Sequence, residues 1–235
     1  MKRIEIITVV GARPQFIKAA ALSNAFSDQL IFKEEILHTG QHYSKNMSEQ
    51  FFVDLNIPKP FLNLGIGGGT HGQNIGRMIE KIEEALIKKN PKGVIVYGDT
   101  DSTLAAAISA SKLKIPIFHI EAGLRSFNRY QPEEQNRILT DHLSDLCFAP
   151  TDESIINLKK EGIDDSRIIK TGDIMADTAR IFGEMVKNKD TIFEKLDPDE
   201  EILLKFNFSK GIVSSSKSIY VPVQPPKEEI KEDSE

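Results

Sequence analysis

An arginine, a lysine and three acidic clusters stand just past strand-like apolar runs in this 235-residue chain. Gly11-Ala12-Arg13-Pro14 follows the run Ile4–Val10, and Lys18 comes about one helical turn later. A glycine lets backbone approach a ligand, a helix N-terminus favours an anion, and an arginine fork matches phosphate oxygens. The same residues also describe a tight strand–helix turn with solvated charges. After a third run comes Gly98-Asp99-Thr100-Asp101-Ser102. Asp99 there is a catalytic or ligand-orienting carboxylate, Asp101 or Ser102 a helix cap, or the two aspartates an Asp-x-Asp metal motif without a further ligand cluster.

Glu121, in His119-Ile120-Glu121-Ala122-Gly123-Leu124-Arg125, sits at the mouth of a fourth run, where a charge is costly unless paired. Arg125 is the expected partner. Glu133 and Glu134 follow Pro132 at a helix start, where the dipole favours ionised acids. Three acidic sites on one sheet edge could move protons to and from carbon. Gln41 and His42 follow the second run, as ligand contacts or as a hydrogen-bonded loop. His119 reads as a satisfied core histidine and His142 as a packing residue. The glycines from Gly65 to Gly69 follow a proline-rich stretch rather than a strand and read as a flexible loop.

Strands are predicted at Ile4–Val10, Leu30–His38, Gly93–Gly98, Ile115–Ile120, Asp145–Ala149 and Arg167–Thr171. Several are apolar on both faces, as buried parallel strands are. Helices are predicted at Pro14–Phe26, Gln73–Lys89, Thr103–Leu113 and Pro132–Leu143, with another capped by Thr151 and ended by Gly162. This alternation implies an α/β doubly wound parallel sheet, in which ligands bind at the carboxyl ends of the strands. Residues 1–190 form that domain. Beyond it, residues 209–235 hold six serines, three prolines, four lysines and five acids, too little apolar surface to offset ordering entropy, so a disordered C-terminal tail is expected.

Composition narrows the function. Thirty basic against 35 acidic residues give a net charge of −5, which argues against a generic nucleic-acid or anionic-membrane surface. Cys147 is the single cysteine, so there is no internal disulfide and no multi-cysteine metal site. The five histidines form no metal-binding pattern. No apolar run approaches the ~18 residues of a membrane span, and the amino terminus leads directly into a strand pattern, so a cytoplasmic protein is expected.

The segments VVGARPQFIK (Val9–Lys18), TGQH (Thr39–His42), VYGDTDSTLA (Val96–Ala105), HIEAGLRS (His119–Ser126), PEEQNRILTDHLSD (Pro132–Asp145) and TGDIMAD (Thr171–Asp177) together resemble the UDP-N-acetylglucosamine 2-epimerase family. They do so in its non-hydrolysing bacterial branch, including relatives acting on UDP-2,3-diacetamido sugar acids. The resemblance spans residues 1–190 and implies the first Rossmann-like domain of a glycosyltransferase-B-like two-domain fold. It implies inversion at C2 of a UDP-sugar substrate by elimination and re-addition of UDP, with no redox cofactor and no metal, and a homodimer in the full-length family. By motif position, Asp99, Glu121 and Glu133 match acidic residues of proton transfer and intermediate stabilisation. Arg13 and Lys18 match a basic pair near the diphosphate. Gln41 and His42 fall in a segment that contacts a second, activating UDP-GlcNAc in some members.

The family continues into a second domain that opens on a His-Arg-x-Glu-Asn segment, and nothing after Leu203 matches it. Residues 191–208 read as a remnant of the interdomain connection, and the chain as a truncated, impaired 2-epimerase. Two other readings stand beside it: a non-catalytic domain that binds a UDP sugar or a partner, and a metal-dependent glycosyltransferase using Asp99 and Asp101.

Overall fold

A computed structural model of the chain describes residues 3–27, 29–41, 52 and 55–187. His42 and the expectations for residues 191–235 lie outside these. Seven parallel strands form one sheet: β1 (Ile4–Val10), β2 (Phe32–His38), β3 (Leu62–Asn63), β4 (Gly93–Tyr97), β5 (Ile117–Ile120), β6 (Leu146–Ala149) and β7 (Ile168–Lys170). The helices are α1 (Arg13–Ser27), α2 (His71–Lys89), α3 (Asp101–Lys112), α4 (Pro132–Leu143), α5 (Asp152–Lys160) and α6 (Ile174–Lys187).

The spatial order is β3-β2-β1-β4-β5-β6-β7. The chain moves outward from β1 to β3, then returns to the middle at β4 and moves out the other way. Between β1 and β4 the direction of winding reverses, which opens a crevice at the carboxyl ends of those strands. The predicted doubly wound sheet is therefore present.

Helices on both faces explain why the central strands are apolar throughout. Along β1 the side chains alternate: Ile7 and Val9 pack with Met78, Ile82 and Leu86 of α2 and the alanines of α3, while Ile6 and Val10 pack with Phe16 and Ala19 of α1 and with Ile174 and Phe182 of α6. Ala105, Ala106, Ala107 and Ala110 are all fully buried. Small side chains let α3 lie close to the sheet while α2 and α4 pack beside it. The Thr178 hydroxyl lies 2.8 Å from the Ile174 carbonyl of α6 and 3.2 Å from the Ile17 carbonyl of α1, where the two helices meet.

Local chemistry sets the helix ends. Thr70 and Gln73 form a reciprocal capping box, so α2 starts at His71, two residues before its periodicity suggests. Thr100, rather than Asp101 or Ser102, caps α3 by accepting from the Thr103 amide. Thr151 caps α5 as expected, and Gly162 adopts the left-handed conformation (φ 85). The glycine-rich stretch does follow a strand, the two-residue β3, which is too short to show an alternating pattern. Among the described residues no helix is long and apolar enough to cross a membrane.

Candidate active site

Four strand exits build the site, beginning with β1. A β-carbon on Gly11 would lie 2.1 Å from both Ser102 Oγ and Thr39 Oγ1, two hydroxyls that are 2.7 Å apart. Only glycine fits between them. Gln15, in the first turn of α1, then organises the turn. Its Oε1 accepts from the Gly11 and Ala12 amides at 2.8 and 3.0 Å. Its Nε2 donates to the Tyr97 carbonyl and Thr103 Oγ1, both at 2.9 Å. One buried amide therefore locks the β1 exit to the β4 exit. Arg13 opens α1 as an exposed cation at this crevice.

Lys18, one turn further along α1, forms an ion pair with Glu121 at the exit of β5; their side chains retain 13% and 20% exposure. Glu121 has a left-handed backbone, φ 71, which costs a non-glycine residue about 1–3 kcal/mol and is found where surrounding structure fixes a functional geometry. Gly98 brings the two exits together. It too is left-handed (φ 61), and a β-carbon on it would lie 3.4 Å from Glu121 Oε2 and 3.5 Å from Lys18 Nζ. Asp99 is the next residue, so its backbone adjoins the Lys18–Glu121 pair.

The Asp99 carboxylate is held by Arg137 of α4, and Asn136 donates to the Asp99 carbonyl at 2.9 Å. Arg137 also reaches Glu134 at 3.3 Å. Glu134, almost wholly buried, accepts from the Ser126 and Phe127 amides at 2.9 Å each. Burial alone would push its carboxyl up, yet those two amides and Arg137 outweigh burial and hold it below the ordinary carboxylate value. Glu134 is therefore a loop anchor. Its neighbour Glu133 is exposed at the start of α4.

Asp101 does not share Asp99's surroundings. Its carboxylate meets His71 Nδ1 at 2.8 Å and the Asn136 amide at 3.1 Å, while Asp99 faces Arg137. The Asp-x-Asp pair is split between two sets of donors, and among the described residues no group of three or more His, Cys, Asp or Glu is placed to share a metal. Gln41 accepts from the Ser102 hydroxyl at 2.7 Å, which ties the end of β2 to the first turn of α3.

Arg125 is not the partner of Glu121. Its guanidinium pairs with Asp141 at 2.8 Å and with Glu161 at 2.6 Å. Gly123 reverses the chain between the two (φ 80), and a β-carbon on it would strike the Ser154 carbonyl at 2.4 Å, so the Arg125 side chain is directed into the body of the fold. His119 is a satisfied core histidine, as expected. His142 is half exposed, 3.7 Å from Glu161, rather than packed in the core.

Sequence reasoning thus placed Arg13, Lys18, Asp99 and Glu121 at one crevice, and the structure brings Lys18, Glu121 and the Gly98–Asp99 turn into contact. It missed Gln15 and Arg137. Both lie in the motifs that carried the resemblance, and the Glu134–Arg137 spacing of three residues in a helix was a readable signal for the second.

A crevice at the winding reversal of a parallel sheet, lined by paired cations and carboxylates, is where ligands bind on a Rossmann-like α/β domain, and the seven-stranded parallel sheet is of that class. The sequence model of the UDP-N-acetylglucosamine 2-epimerases matches residues 24–206, and the chain belongs to that family. The UDP-2,3-diacetamido-2,3-dideoxy-D-glucuronate 2-epimerase of Pseudomonas aeruginosa is 55% identical over 183 residues, 77% of this chain and 52% of that protein. The UDP-N-acetylglucosamine 2-epimerase homolog of Methanococcus maripaludis is 45% identical, covering 94% of this chain and 66% of its own. Among solved structures, the Methanocaldococcus jannaschii UDP-GlcNAc 2-epimerase in complex with UDP-GlcNAc and UDP superposes with a TM-score of 0.78 at 43% identity over 81% of this chain and 52% of that one. The Neisseria meningitidis enzyme bound to UDP-GlcNAc gives 0.75 at 34% identity, covering 79% and 50%. The chain spans about half to two thirds of the length of these relatives.

Proposed function

We propose that this chain carries the acid–base and diphosphate side of a UDP-sugar 2-epimerase, with UDP-N-acetylglucosamine and UDP-N-acetylmannosamine as the epimer pair. The observation that carries the reading is the paired placement of Lys18 with Glu121 and Arg137 with Asp99 at the winding reversal. In the proposed reaction a carboxylate takes the C2 proton while the C1–oxygen bond to UDP breaks. The electron pair leaves with the diphosphate, and a C1–C2 double bond remains. Protonation of C2 on the opposite face and return of the UDP oxygen to C1 complete the inversion.

The C2 proton is unactivated, so the departing anion must be stabilised as the proton leaves. Arg13 and Lys18 are the cations for that role. A diphosphate that draws Lys18 to itself deprives Glu121 of its counter-charge and makes that carboxylate a stronger base. Substrate arrival thereby generates the base. Asp99 and Glu133 are the other proton-handling candidates, and Gln41 and His42 the candidates for sugar-nucleotide contact. A polar nucleotide sugar suits the cytoplasm, where we place the chain, and a homodimer is the assembly the family resemblance implies.

The 55% identity to the P. aeruginosa enzyme supports a second reading, in which the substrate is a UDP-2,3-diacetamido sugar acid. Supplying each UDP sugar in turn and resolving the epimers by NMR decides between them. The first reading expects UDP-ManNAc from UDP-GlcNAc. Product only from the diacetamido sugar acid replaces it with the second. Calorimetric binding without any epimer from either sugar overturns both and leaves a UDP-sugar-binding domain.

A further inference from the structure

The β4 and β5 exits share a fully buried imidazole that the proposed chemistry does not use. His119 Nε2 lies 2.7 Å from the Gly98 carbonyl, and Nδ1 lies 2.6 Å from Asp141 Oδ1. A backbone carbonyl only accepts. Asp141 Oδ2 already receives the Gly123 amide at 3.1 Å and the Arg125 guanidinium at 2.8 Å, an arrangement that keeps this carboxylate ionised. Both imidazole nitrogens therefore face acceptors, and both must donate.

Around this ring stand Asp141 of α4, Arg125 and Glu161 beyond it, and Cys147, its register partner on β6. The His119–Gly98 contact joins the segments that carry two candidate acids. Gly98 immediately precedes Asp99, and Gly98 N–H also donates to the Ile120 carbonyl at 3.0 Å. Glu121 lies between His119 and Gly123, both bound to Asp141, and it is the residue forced into the left-handed conformation.

We propose that His119 is a positioning residue: a doubly protonated, fully buried imidazole that, anchored by Asp141, clamps the Gly98–Asp99 turn against the β5 exit and holds Glu121 in its left-handed conformation toward Lys18. The role of this clamp in catalysis rests on the epimerase reading; the clamp itself does not.

Nitrogen-15 NMR of the full chain labelled at histidine tests the ring directly. Both His119 nitrogens should carry slowly exchanging protons, and a neutral tautomer with one bare nitrogen overturns the proposal. In His119→Gln, which can still donate to Gly98 but cannot reach both acceptors, the Glu121 amide–Hα coupling and Cα shift should leave their left-handed values. The turnover number should fall on the order of 10–100-fold, as misplacing a reacting group does, with the KM for UDP-GlcNAc little changed. An unmoved Glu121 in a folded variant, or a loss confined to KM, overturns the proposal. If the wild-type ring is doubly protonated and Glu121 relaxes in the variant while wild type epimerises nothing, the clamp stands and the epimerase reading falls.

Discussion

Lys18 and Glu121 form an ion pair across the winding reversal of the sheet although 103 residues separate them in sequence. The pair sets opposite expectations for its two members. Lys18→Met should weaken UDP binding by roughly 10–100-fold, the worth of a hydrogen bond to a charged group. Glu121→Gln, which removes the competitor for Lys18, should bind UDP at least as tightly as wild type. Calorimetry on the three proteins checks this. Equal losses in both variants would mean that the diphosphate does not meet Lys18.

Gly11 is required by volume rather than by conformation. Gly11→Ala places a methyl group 2.1 Å from two hydroxyls, and overpacking of that kind costs about 1–3 kcal/mol. Thermal unfolding should show a melting point several degrees lower, and UDP affinity should fall with it because the β1 turn must open.

Glu134 and Glu34 should respond to pH in opposite senses. Glu134 is held below its ordinary value, so its stabilisation is complete above the unfolded carboxyl range and is lost as pH falls through the folded value. Glu134→Gln should therefore lower stability at pH 7 and flatten the acid limb of the stability profile. Burial pushes Glu34 up, against the hydrogen bond that the Thr8 hydroxyl donates to it. It favours the fold only when protonated, and that contribution is lost as pH rises through the folded value. Glu34→Gln should raise the melting point at pH 8, with the gain vanishing near pH 3.

Cys147 should be inert. Burial, reinforced by the Asp141 charge, pushes its thiol up to about 12, and the thiolate is the reactive form. A thiol-specific chromogenic disulfide should titrate no sulfhydryl in the native protein at pH 8 and one after denaturation. Fast native reaction would contradict the packing of β6.

The sheet was legible because the central strands are short runs, rich in Ile and Val in β1 and β4, and helical segments separate them. β3 was not, since two residues carry no period. α6 was not either: TGDIMAD (Thr171–Asp177) resembles a family motif, but its role as the start of a helix against α1 depends on packing. The site was legible where a charged residue follows a strand, as with Lys18, Asp99 and Glu121. Its pairings were not. Arg125 is four residues from Glu121 and was the natural partner on sequence distance, yet the left-handed Gly123 between them turns the chain inward toward Asp141. Lys18 could be found as the partner only once β1 and β5 were known to flank β4. Gln15 was opaque for the same reason, since two of its four hydrogen bonds reach residues more than 80 positions away.

The central claim is that carboxylates at these strand exits move the C2 proton of a UDP sugar. It is tested most directly by incubating the chain with UDP-GlcNAc in deuterium oxide and following C2 by proton NMR. Wild type should place deuterium at C2, and Glu121→Gln should do so on the order of 100-fold or more slowly, the size of a lost acid–base catalyst. No exchange by wild type at saturating UDP-GlcNAc, or exchange unchanged in Glu121→Gln, would contradict the account.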